Sequence, residues 1–70
     1  MLSKAEIGAK IRQLRLAKNK TQTDLGQVLK VSYAAVSDIE RGITDLTISD
    51  LYEIARFFDV PITEFLQGQG

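Results

Sequence analysis

Residues 21–42 read TQTDLGQVLKVSYAAVSDIERG, two short helical patterns separated by almost nothing. Thr21 stands as an N-cap for the first, with Asp24 three residues on, and Leu25, Val28 and Leu29 make its apolar face. Ser32 caps the second, which runs from Tyr33 to about Glu40 and ends at Gly42, a residue suited to the left-handed backbone that closes helices. Only Ala35, Val36 and Ile39 in that segment are spaced to face a core. Tyr33, Ala34, Ser37, Asp38 and Arg41 line its other side. Neither helix is long enough to be stable alone. So polar an outer face gives the second little reason to exist unless that face is used.

The connection between them is about three residues, Lys30-Val31-Ser32, with Val31 expected to plug into the core. Helices joined so tightly cross at a steep angle, the geometry of a helix-turn-helix, here at about 21–41. In that motif the second helix enters the DNA major groove and the first lies across the backbone. Gly26 inside the first helix costs about 1 kcal/mol relative to Ala. The return expected for it is close approach by another helix.

Outward from this unit the chain continues to read as helix. Ser3 and Glu6 have capping-box spacing, and Ile7, Ile11 and Leu14 then recur as one buried stripe, with Lys10, Arg12 and Lys18 mostly outside it. That helix should fade at Lys18-Asn19-Lys20, where cations suit its negative end. A fourth begins near Thr47, with Asp50 three residues on, and carries Leu51, Ile54, Ala55 and Phe58. Ile48, Tyr52 and Phe57 widen its apolar surface beyond one stripe. A last turn follows Pro61, whose fixed φ suits a helix start, and holds Ile62, Phe65 and Leu66. The Gly68-Gln69-Gly70 tail is expected to fray. No segment alternates convincingly as a strand. The expectation is an all-α, compact five-helix bundle, a single domain over 1–70 with its core at 6–66.

Composition narrows the function. Of 70 residues 44% are hydrophobic, which argues for a folded chain with a small core. Cys and His are both absent, which removes disulfides, zinc-thiolate sites and the usual nucleophile–base pairs. No Gly-rich loop with Lys and Ser/Thr cradles a phosphate, and no carboxylate pair sits on an apolar face, so neither enzyme activity nor a cofactor is expected. No apolar run approaches the roughly 18 residues of a membrane span, and the first residues lack the apolar stretch of a signal peptide; a cytoplasmic location is expected. The formal net charge is zero, yet residues 1–30 hold seven cationic against two acidic side chains and residues 31–70 hold two against seven. Halves of +5 and −5 let one pole meet a polyanion while the other faces away.

At this point the chain resembles the Cro/phage-repressor type of helix-turn-helix domain, also called Xre-like, with its lambda-repressor-like fold. The pattern stands here as IGAKIRQLR, then TQTDLGQVLKVSYAAVSDIERG, then LTISDLYEIARFFDVPITEFL, and covers roughly residues 6–66. The resemblance implies that Gln22 contacts the DNA backbone. It implies base reading by Tyr33, Ala34 and Asp38, with Ser37 on the same side and Arg41 within reach of a guanine or phosphate. It also implies that Arg15 and Glu40 form a structural ion pair clipping the first helix to the third. Thr21 and Ser32, caps first, and Lys20 and Lys30, which flank the same face, complete the expected backbone contacts.

Two features depart from the pattern. The small residue in the second helix is usually Ala, and here it is Gly26. The third helix offers no Gln, Asn, Arg or Lys between Tyr33 and Glu40, the residues that pair bidentately with purines. Ala34 can touch a thymine methyl and Asp38 can accept from cytosine, so specificity is expected to lean on DNA shape and phosphate contacts.

The expected function is a DNA-binding transcriptional regulator, with double-stranded DNA as partner, acting as a homodimer on a two-fold symmetric operator. The expected dimer surface is Ile54, Phe57, Ile62 and Phe65. A chain this short is expected to carry no effector domain, and in size it resembles the controller proteins of restriction–modification systems and small phage or plasmid repressors. RNA polymerase is a further candidate partner, through acidic residues such as Asp45 or Glu53. The alternative is a protein-interaction module of the same fold, an antitoxin-like component.

Overall fold

Four α-helices are each opened by a side chain that accepts from an otherwise orphaned amide. In the computed structural model, which describes residues 2–66, they are α1 (Lys4–Ala17), α2 (Gln22–Leu29), α3 (Tyr33–Glu40) and α4 (Ile48–Phe58). Ser3, Thr21, Ser32 and Thr47 are the N-caps. Three of these starts are reciprocal capping boxes. At α2 the Asp24 amide donates to Thr21 Oγ1 at 3.0 Å while the Thr21 amide donates to Asp24 Oδ2 at 2.9 Å. Ser3 with Glu6 and Thr47 with Asp50 do the same at α1 and α4. The helix starts expected from the sequence are all in place.

The closures are as local. Left-handed residues follow three helices: Asn19 (φ 57°), Lys30 (φ 61°) and Asp59 (φ 56°), while Gly42 (φ 77°) follows α3. Asn, Asp and Gly adopt this region readily; Lys does so at a cost of about 1–2 kcal/mol. Lys30 therefore holds the α2–α3 turn under mild strain. Among the described residues there is no strand, and the fifth helix expected after Pro61 is a single 3-10 turn, Ile62–Phe65. Four residues close i→i+3 bonds more easily than a full α-turn. The Gly68–Gly70 tail lies outside the described residues.

The core takes Ile7 and Ile11 from α1, Leu25 from α2, Val36 and Ile39 from α3, Leu51, Ile54, Ala55 and Phe58 from α4, and Phe65 from the 3-10 turn. α3 is held between α1 and α2, and α2 also packs on α4. The last turn is fastened twice, by Phe65 in the core and by Lys10 Nζ at 3.1 Å from Glu64 Oε1.

Three expectations need correction. Ile54 and Phe65 are 0% exposed, so they build the core of this chain and cannot face a second copy. With Leu51 and Phe58 they make the fully buried apolar stripe that α4 and the last turn give to the core. Val31 does not plug inward: it is 42% exposed, and what enters is its backbone, whose carbonyl lies where a Cβ on Gly26 would be 2.6 Å away. Gly26 thus admits the turn itself rather than a neighbouring helix. The helix-to-helix contact occurs at Gly8 instead, where a Cβ would collide with the Ile39 and Glu40 carbonyls at the end of α3.

Candidate nucleic-acid interface

α3 buries one side and leaves the other open. Val36, Ile39 and Glu40 point inward, while Tyr33 is 64% exposed and Ala34 and Arg41 are also exposed. Ser37 and Asp38 are half-buried along the same outer side. The Asp38 carboxylate is 3.6 Å from Arg41 Nη1, an exposed pair three residues apart. Such a pair contributes at most about 1 kcal/mol and opens readily, so either partner is free to engage a base edge.

Beside this face lies the N-terminus of α2. Arg12, Arg15, Lys20, Thr21, Gln22, Thr23 and Tyr33 line an open cleft of about 470 Å³ there. Of the expected backbone-contact residues, Lys20, Thr21 and Gln22 are thus brought together, with Tyr33 as the bridge to the outer face of α3. Ser32 and Lys30 stand at the turn. Ser32 Oγ accepts from the Ala35 amide at 3.2 Å, which confirms its capping role. Lys20 also has a second contact: its ammonium lies over the Phe57 ring, 5.6 Å from its centre.

Arg12 and Thr23 were not singled out by sequence. The signal for Arg12 was present, since it stands three residues before Arg15 and shares its face of α1. Among the described residues, Arg12, Lys18, Lys20 and Lys30 form no ion pair within the chain, whereas Lys4, Lys10, Arg15 and Arg41 do. Arg56, in the last turn of α4, is unpaired as well; the other four flank the two ends of α2.

Beneath the cleft sits the ion pair. Arg15 Nε donates to Glu40 Oε2 at 2.6 Å and Nη2 to Oε1 at 3.1 Å, a bidentate grip with both residues less than 10% exposed (Arg15 9%, Glu40 7%). The bond to Glu40 holds the Arg15 guanidinium above its already high proton affinity. The third arm of Arg15, Nη1, donates to the Lys20 carbonyl at 3.1 Å, and Gln22 Nε2 donates to Glu40 Oε1 at 3.2 Å. The resemblance implied the pair; its links to Lys20 and Gln22 were not foreseen. No buried side-chain nitrogen or oxygen among the described residues lacks a partner.

A tight helix–turn–helix with an uncovered second helix and a cationic cleft at the first defines a class of nucleic-acid-binding fold. The chain belongs to the helix-turn-helix (HTH_3) family, whose pattern matches residues 11–65. It is 41% identical over 64 residues to the HTH-type transcriptional activator BcrR of Enterococcus faecalis, a match covering 91% of this chain. The chain spans 31% of that activator's length. Two solved structures share the fold. The clp gene regulator ClgR of Corynebacterium glutamicum superposes with a TM-score of 0.85 at 24% identity, over 94% of this chain and 70% of that one. The restriction–modification controller protein C.AhdI of Aeromonas hydrophila gives 0.79 at 24% identity, over 89% and 90% of the two chains.

Proposed function

We propose that the chain is a sequence-specific DNA-binding module of a transcriptional regulator that works as a homodimer on a two-fold symmetric operator. The observation that carries this is the open outer face of α3 set directly beside the cationic cleft at the α2 N-terminus. α3 has eight residues and is about 12 Å long, a length that fits a major groove about 12 Å wide. Gln22, Thr21, Lys20, Lys30 and Ser32 hold the flanking phosphates, and Tyr33, Ala34, Ser37, Asp38 and Arg41 meet the base edges. Arg12 joins the backbone set, because it shares the cleft with Gln22. With no Gln, Asn, Arg or Lys inside α3, register comes from phosphates and much of the specificity from DNA shape.

The size of the fold supports the dimeric reading. Successive major grooves on one face of B-DNA are about 34 Å apart, while the described residues extend 32 Å along their longest axis. Two copies side by side reach both grooves; one copy does not. Of the exposed large apolar residues, Ile48 and Tyr52 stand four apart on α4, 49% and 52% exposed, and with the half-buried Phe57 and Ile62 they make the surface proposed to meet a second copy.

Selection from random duplexes tests the reading. It should return a consensus with two-fold symmetry and half-sites one helical turn apart, bound with an affinity that falls steeply with salt. Enrichment of no sequence, with weak and salt-insensitive binding, would instead favour a protein-interaction module.

A further inference from the structure

Three helix ends meet at Glu40, the last residue of α3: it accepts from Arg15 in the last turn of α1 and from Gln22, the first residue of α2. An ionised carboxylate only accepts, so the Gln22 amide must turn its nitrogen, not its oxygen, towards Glu40. That leaves the second N–H of Nε2 uncommitted at the cleft. A bare carboxylate at this place would repel a phosphate arriving at Gln22. The bidentate Arg15 cancels that charge without itself reaching far into solvent, being 9% exposed. The same guanidinium fastens the Lys20 carbonyl, and so the entry to α2.

We infer that Glu40 is a positioning residue for DNA binding: held by Arg15, it orients the Gln22 side-chain amide so that one N–H is presented to a backbone phosphate. The pair is then more than a clip between α1 and α3. The inference rests on the DNA-binding reading, in which Gln22 makes a phosphate contact. It adds that this contact is built in advance, which lowers the ordering cost of binding.

The test replaces both partners with residues of similar length, Arg15→Met together with Glu40→Met. Net charge is unchanged, and exchanging a buried ion pair for apolar side chains generally preserves stability. Binding to the selected duplex is measured for the parent, for Gln22→Ala, for the double Met variant and for the triple variant, each checked for helix content. Gln22→Ala should weaken binding on the order of tenfold per half-site. The double Met variant should lose about as much, and adding Gln22→Ala to it should cost little more. Parent-like binding by a folded double Met variant, beside a weakened Gln22→Ala, would overturn the positioning role while leaving the DNA reading intact. A parent that binds no duplex would overturn both. If the double Met variant does not fold, nitrogen-15 relaxation of the Gln22 side-chain amide in the parent decides. An amide as restrained as the backbone supports the role, and one as mobile as those of the exposed Gln13 and Gln27 refutes it.

Discussion

Arg15 and Glu40, 25 residues apart in sequence, face each other through two parallel hydrogen bonds of 2.6 and 3.1 Å and tie the end of α1 to the end of α3. Cutting one partner leaves the other buried and uncompensated, at a cost of about 3–5 kcal/mol. Each kcal/mol shifts the melting temperature of a chain this size by about 4–8 °C. Glu40→Ala should therefore lower the melting temperature by well over 10 °C in a thermal scan followed by circular dichroism. A shift of a few degrees would mean that the pair is solvated in solution.

Gly26→Ala separates local propensity from packing. Helix propensity alone favours Ala by about 1 kcal/mol. The added Cβ, however, would sit 2.6 Å from the Val31 carbonyl oxygen, a backbone atom in a turn already strained at Lys30. Overpacking of this kind costs about 1–3 kcal/mol. Gly26→Ala should be net destabilising in urea titration, and a raised midpoint would show that the turn yields freely.

Acid should loosen the entry to α2 through Asp24. Its carboxyl is held below the ordinary carboxylate range, chiefly by the Thr21 backbone amide and then by the Thr21 hydroxyl. A carboxyl with a depressed folded-state pKa stabilises fully above its unfolded value, about 3.9, and this contribution is lost as pH falls through the lower folded value. Asn at position 24 keeps an acceptor for the Thr21 amide but does not titrate. The fall in melting temperature below about pH 4 should be shallower for Asp24→Asn than for the parent; identical slopes would remove Asp24 from the acid response.

Tyr52→Asp tests the surface proposed for dimerisation. Tyr52 is 52% exposed, so the substitution should change the stability of the fold by no more than about 0.5 kcal/mol. Losing the second site should weaken operator binding by about a hundredfold, since linked half-sites gain that much or more from one another. Sedimentation should show monomers. A variant that sediments as a dimer would place the interface elsewhere.

Much of this was legible because it is local. Caps at Ser3, Thr21, Ser32 and Thr47 involve residues three apart, and the closures at Asn19 and Gly42 depend on the chain's own backbone preferences. What was not legible depends on tertiary distance. Ile54 carries the same spacing signal whether it meets a partner or its own core, and only the packing of Phe58 and Phe65 around it decides. Val31 looked like a plug because it is apolar, but the left-handed Lys30 before it brings in the carbonyl of the turn instead of the side chain. Gly8 gave no signal, since a helix-to-helix approach at a single Cα leaves no periodic trace. At the site, the face of α3 could be read from its period, whereas the bonds joining Gln22, Glu40, Arg15 and Lys20 link residues up to 25 positions apart.

The most direct measurement of the central claim is a nitrogen-15 NMR titration of the protein with its selected duplex. The account predicts the largest amide shifts at Gln22 and Thr23 and along Tyr33, Ala34, Ser37 and Asp38, and small ones at the core residues Leu51 and Phe58. Shifts confined to α4, with α3 unmoved at saturation, would contradict it.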